Sequence, residues 1–114
     1  MHSTIYKICS VELWRDAQAA GRFDGAPIDL ADGFIHFSTA VQAAETAAKH
    51  FAGQAGLVLV AVDAEKLSAA LKWEVSRGGQ LFPHLYGHLA SREVAWVKPL
   101  PLDASGKHSF PTLV

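Results

Sequence analysis

Apolar and polar positions change rhythm several times along the chain, and each change marks an element. Thr4 to Cys9 is β-branched and aromatic, which predicts a first strand. Ser10 then caps a helix over Val11–Ala20, in which Leu13, Trp14, Ala17 and Ala20 recur at helical spacing and Gly21 supplies the left-handed stop. Residues 22–32 lose both rhythms. Gly25, Pro27 and the aspartates Asp24, Asp29 and Asp32 predict a long connection without structure of its own, a kind of loop that in small domains is often functional.

From Gly33 to Thr39 the alternation returns, with Phe34, His36 and Ser38 on one face of a strand and Ile35, Phe37 and Thr39 on the other. Thr39 and Gln42 form a capping box. The helix it opens carries Val41, Ala44, Ala47, Ala48 and Phe51 as its apolar stripe and ends near Gly53. Leu57–Val62 is apolar without alternation, as expected of a central strand covered on both faces. Asp63 caps a short helical turn over Glu65–Leu71. Lys72–Ser76 alternates again, which sends Trp73 and Val75 to one face and Lys72, Glu74 and Ser76 to the other; Gly78-Gly79 then makes a turn.

Across Leu81–Leu89, Pro83 and Gly87 argue against a central strand and predict an irregular extended segment. Glu93–Lys98 is a last strand, after which Pro99 and Pro101 end pairing and leave a loosely ordered tail. Together the elements predict an α+β fold in a single domain over residues 1–114: a core at about 4–98, a tail at 99–114, and small mixed or antiparallel sheets with flanking helices.

Composition narrows the function classes. Half the 114 residues are apolar and 18% are charged, which excludes a disordered chain. A net charge of -1 without a basic run gives no support to a nucleic-acid partner. The single Cys9 rules out an internal disulfide and, in its apolar setting, predicts a buried thiol. No signal-peptide pattern and no apolar run near the roughly 20 residues of a membrane span are present, so the expectation is a cytoplasmic protein with no membrane partner.

The densest polar signal is His36 and Ser38 on one strand, Glu74 on a second, and His84 with Tyr86 on a third segment. Strand pairing can gather them into one cleft, where an imidazole serves as donor, acceptor or proton shuttle and a glutamate orients it or fixes a ribose hydroxyl. Each alone is equally well a hydrogen-bonded structural group. His84 and His88 are spaced four apart, but Pro83 and Gly87 weaken the helix a metal pair needs, so no metal and no cofactor is assigned. Ser38 lacks the Gly-x-Ser-x-Gly elbow of a hydrolase, and Gly78-Gly79 is too little for a phosphate loop. His2, His50 and His108 read as solvated, and Trp14, Trp73 and Trp96 as core.

Gly33-Phe34-Ile35-His36-Phe37-Ser38-Thr39 with Gln42, then Trp73-Glu74, then Phe82-Pro83-His84-Leu85-Tyr86-Gly87 resemble, in order, the bacterial domain-of-unknown-function family numbered 952. Tyr6-Lys7-Ile8 and Trp14 also fit that family's opening, and the resemblance runs from about Ile5 to Val97. It implies a fold similar to that of ADP-ribosyltransferases, with a cleft between two small sheets. On that likeness Glu74 is the counterpart of the glutamate that holds a ribose hydroxyl beside an oxocarbenium-like transition state, and Ser38 that of the serine in the fold's Ser-Thr-Ser element. The chain departs from the enzymatic pattern at Tyr6 and Lys7, where His or Arg stands, and at Lys72, where Gln or Glu stands. The expectation is therefore a protein that binds a nucleotide or ADP-ribose-like small molecule, with His36 and Glu74 in catalytic positions and Ser38, His84 and Tyr86 contacting ligand. The alternatives are a non-catalytic interaction domain whose polar cluster is structural, and a glycosyl- or phospho-transferase acting on a nucleotide. Whether the protein is an enzyme, and its oligomeric state, are left open by these residues.

Overall fold

The computed structural model describes residues 4–113; His2 lies outside them. β1 (Thr4–Ser10) runs into α1 (Val11–Ala20), which starts where Leu13 donates its amide to the Ser10 hydroxyl at 3.1 Å and stops at Gly21 with φ 82°. β2 (Arg22–Phe23), α2 (Pro27–Asp32) and β3 (Ile35–His36) follow. The segment 22–32 is therefore not an unstructured connection. Pro27 at the first helical position and Asp29 two residues later, whose carboxylate accepts the Ala26 amide at 2.8 Å, build a helix too short to show an apolar period.

α3 (Ala40–His50) begins at the predicted capping box: Thr39 accepts the Gln42 amide at 3.3 Å and the Gln42 side chain accepts the Thr39 amide at 3.0 Å. Its buried face differs from the expected stripe. Ala43 and Ala47 are buried and Val41 is 92% exposed, so the helix is turned to seat its smallest side chains against β1 and leave room at the sheet.

β4 (Leu57–Asp63) is the centre of an antiparallel sheet in the order β1-β4-β8, with β8 spanning Val94–Leu100. Its lack of alternation has the expected cause. Val58, Val60 and Val62 pack with Ile5, Cys9, Trp14 and Phe23 on one side, while Leu57, Leu59 and Ala61 pack with Tyr6, Ile8 and Leu100 on the other. Each valine, leucine, isoleucine or phenylalanine among them contributes about 1.5–3 kcal/mol by leaving water. β8 includes Pro99, tolerated because β8 is an edge strand of its sheet. The tail is not loose either: Leu102 bridges His108, and Phe110 and Leu113 pack against the second core cluster.

A second antiparallel sheet has the order β3-β6-β5, with β5 at Leu71–Val75 and β6 at Leu81–Leu85; β2 pairs separately with β7 (Leu89–Ala90). A 3₁₀ segment, Ala64–Ala70, connects β4 to β5 where a short helical turn was expected. Residues 81–85 thus form a regular central strand despite Pro83. The Pro83 carbonyl accepts the Phe37 amide at 3.0 Å, so its nitrogen also points toward that side, just past the end of the two-residue β3, and the proline costs the sheet only the reciprocal bond at that end while the pairing with β5 loses none. Trp73 shares the face of Leu71 and Leu85 but stands on the edge strand, outside the buried Pro83 it pairs with, and is 45% exposed, contrary to its reading as core. Among the described residues the sheets meet at one backbone bridge, in which Tyr6 and Ser38 exchange reciprocal hydrogen bonds of 2.8 Å each.

Candidate functional site

β-pairing decides which polar side chains share a face. Cross-strand partners point the same way, and the register His36↔His84↔Lys72 with Glu74↔Phe82 puts His36, His84, Lys72 and Glu74 on one side of the second sheet. His84 Nδ1 lies 2.8 Å from Glu74 Oε1, and the Tyr86 hydroxyl donates to the same oxygen at 2.7 Å. The His36 and His84 rings are 5.4 Å apart. Phe34 stacks on His84 at 4.1 Å and tilts against His36 and Tyr86, closing an aromatic wall around the glutamate.

Glu74 is held ionised. The His84 hydrogen bond first, then that of Tyr86, keeps its carboxyl below the usual range, and the same bond pushes the Tyr86 phenol up. Both contacts fall on Oε1. Among the described residues none falls on Oε2, so a carboxylate half-exposed at its side chain keeps one oxygen free to accept.

Beneath this wall lies a cluster centred on Asp29, which is 1% exposed. Its carboxylate accepts the Ala26 amide, the His36 amide at 3.0 Å and His36 Nδ1 at 2.6 Å, and it pairs with the buried Lys7 ammonium at 2.8 Å. Burial alone would raise the Asp29 pKa; the His36 hydrogen bond and the Lys7 charge outweigh it and bring the value down to about 2. His36 Nε2 meets Asp32 at 3.0 Å, an arrangement in which both ring nitrogens donate only when the ring carries two protons. Gly25 is required beside it: its φ is 128°, and a Cβ there would sit 2.8 Å from the Asp29 Cβ.

A cavity of about 500 Å³ opens between the two sheets, lined from the first by Tyr6, Lys7 and Ile8 and from the second by His36, Ser38 and His84, with Asp32, Thr46, His50 and Ser76 around it. Three of the five sequence-derived candidates therefore line the cavity. Glu74 and Tyr86 do not; they stand behind His84, joined to the cavity through its ring. Ser38 is buried, with its hydroxyl 2.8 Å from that of Thr46. Lys7, Asp29 and Asp32 were missed as site residues, although Pro27 followed by Asp29 is the signature of a helix start that would have placed Asp29 in an ordered element. Among the described residues no cluster of three His, Cys, Asp or Glu is arranged to hold a metal ion, and no helix is long and apolar enough to cross a membrane.

Residues 8–97 match the family described as a protein of unknown function, DUF952. The crystal structure of protein CC0527 from Caulobacter crescentus is 57% identical, with a TM-score of 0.90 and 94% of each chain covered. The solution NMR structure of the same protein gives 59% identity and a TM-score of 0.83 over 91% of this chain and 90% of that one. No protein of curated function matches the chain.

Proposed function

The chain belongs to the DUF952 family, whose description assigns no activity, and from that premise we propose that a nucleotide or ADP-ribose-like small molecule binds across the polar face of the second sheet, its ribose at Glu74 and Tyr86 and the rest reaching past His84 into the inter-sheet cavity. The observation that carries this reading is Glu74: an ionised carboxylate fixed through one oxygen by His84 and Tyr86, with the other oxygen open. That is the geometry a ribose hydroxyl needs from an acceptor. The cavity volume lies within the range of small-molecule sites. Phe34 and Tyr86, outside the cavity and beside Glu74, offer aromatic surface for a flat ring. A cleft between two small sheets also agrees with the ADP-ribosyltransferase-like fold that the motif resemblance implies, a fold-level analogy that adds to the site and does not replace it.

Binding rather than turnover is the primary reading. Lys7 is spent on Asp29, and among the described residues lining the cavity no other lysine or arginine stands ready to grip a dinucleotide, whereas transition-state stabilisation needs such groups already in place. A glycosyl- or phospho-transferase working on a nucleotide would use the same Glu74 and His36. The specific observation favouring a structural cluster in a non-catalytic interaction domain is that His36 is engaged at both ring nitrogens and Ser38 at its hydroxyl. Titration calorimetry with ADP-ribose, nucleoside monophosphates and the nicotinamide dinucleotide separates these readings. The expected result is binding that Glu74→Gln weakens by about 10- to 100-fold, the worth of a hydrogen bond to a charged group. Absence of binding by all three classes, or equal binding by Glu74→Gln, refutes the proposal; dinucleotide cleavage lost in Glu74→Gln makes the protein an enzyme.

A further inference from the structure

β5 lies at the edge of its sheet, and the register fixes which of its backbone groups are left over. Tyr86 donates to the Ala70 carbonyl and Ser76 to that of Gln80, so residues 70, 72, 74 and 76 bond inward to β6 and its flanks. The amides and carbonyls of Leu71, Trp73 and Val75 consequently point outward, and among the described residues no backbone partner outside the strand takes them. The side chains along this edge are apolar as well: Trp73 is 45% exposed, Val75 70% and neighbouring Leu81 52%. An open strand edge carrying exposed apolar side chains is a pairing surface that soluble proteins ordinarily blunt.

We propose that this edge pairs antiparallel with the same edge of a second copy, joining the two β3-β6-β5 sheets into one continuous sheet through a two-fold axis at Trp73. Only one register satisfies both the backbone and the charges. With Trp73 opposite the partner's Trp73, all three outward-facing residues find outward-facing partners: Trp73 meets Trp73, and Leu71 meets Val75 in both directions. The same register sets Lys72 opposite the partner's Glu74, twice by symmetry, at a cross-strand separation of about 4.5–5.5 Å between Cβ atoms. A shift by two residues in either direction breaks both ion pairs, and a shift by one turns outward groups against inward ones. Glu74 has the capacity for this contact, because a carboxylate offers about four acceptor positions and His84 and Tyr86 use one oxygen only. A second copy is favoured over an unrelated extended peptide because the strand complements itself in both hydrogen bonding and charge.

The test is a charge exchange. Sedimentation equilibrium of the full chain between about 10 µM and about 1 mM, the span in which interfaces of modest size associate, is expected to show conversion from 12.2 kDa to a species of twice that mass. Lys72→Glu alone and Glu74→Lys alone each place like charges opposite one another and are expected to weaken self-association by roughly tenfold. Mixed in equal amounts, the two variants regain opposite charges at both positions and are expected to restore the dimer. Circular dichroism of each variant establishes that it is folded, and in the wild-type protein the Leu71, Trp73 and Val75 amides should gain protection from exchange as concentration rises. A single 12.2 kDa species at the highest concentration, or a dimer unaffected by either single variant, overturns the proposal. Association that the variants weaken but the mixture fails to restore also overturns it, since the register then differs.

Discussion

Replacing Asp29 with Asn should destabilise this protein more than any other single exchange of comparable size. The carboxylate is 1% exposed and faces four donors: two backbone amides, the His36 ring and the Lys7 ammonium, itself only 5% exposed. Asn turns one acceptor oxygen into a donor that confronts those donors, and it leaves the ammonium without its counter-charge. Breaking a buried pair from one side costs about 3–5 kcal/mol. At about 4 °C per kcal/mol for a chain of this size, that is a fall in melting temperature of about 12–20 °C. Acid titration checks the same cluster independently. The Asp29 pKa is lowered from 3.8 to about 2 on folding, so its contribution is fully present above about pH 4 and is lost as pH falls toward 2. The shift corresponds to about 2 kcal/mol, less than the Asn exchange because the hydroxyl oxygen of a protonated carboxyl can still accept where the Asn amide nitrogen can only donate. Calorimetric melts of wild type and Asp29→Asn from pH 5 to pH 2.5 should therefore converge as pH falls. Lys7→Met, which leaves Asp29 its three other donors, should cost less, and the double variant should cost less than the sum of the two. A melting temperature for Asp29→Asn within about 3 °C of wild type, or strict additivity in the cycle, would show that the cluster does not hold the fold.

Two further outcomes follow from burial. Trp14→Ala, at a side chain 7% exposed and packed against Phe23, should lower stability by about 3–5 kcal/mol, whereas Trp73→Ala at micromolar concentration should cost about 1 kcal/mol or less, as urea melts would measure. Cys9, whose thiol burial raises to a pKa of about 11, should resist alkylation by iodoacetamide at pH 8 until denaturant unfolds the chain.

The elements that were legible in the sequence are those that announce themselves locally. Ser10, Gly21 and the Thr39–Gln42 box each make their cap within a few residues, and β4 carries its burial on both faces in an unbroken apolar run. Alternation was enough to set His36 and Glu74 on faces that the strand register then brought to His84. What escaped were features decided at long range. Asp29 is written as a loop aspartate and becomes the hub of a buried cluster only because Lys7, 22 residues earlier, comes to lie against it. Pro83 breaks a strand unless its missing donor happens to face the end of a short neighbour, and Trp73 is core by its face but stands on the edge strand. The apolar stripe of α3 was misplaced because alanines fit against β1 more closely than Val41 would.

The reciprocal Tyr6–Ser38 bridge has a kinetic meaning. It is the one backbone rung by which, among the described residues, the two sheets are tied across the cavity that both of them line. Beside that rung, Ile5 and Val60 of one sheet pack in the same apolar cluster as Ile35 and Leu85 of the other, so the walls that carry Lys7 and His84 are fastened by backbone and core together. The exchange rates of just two amides, those of Tyr6 and Ser38, would therefore register how tightly that fastening holds, and a molecule seated between the sheets would slow both together.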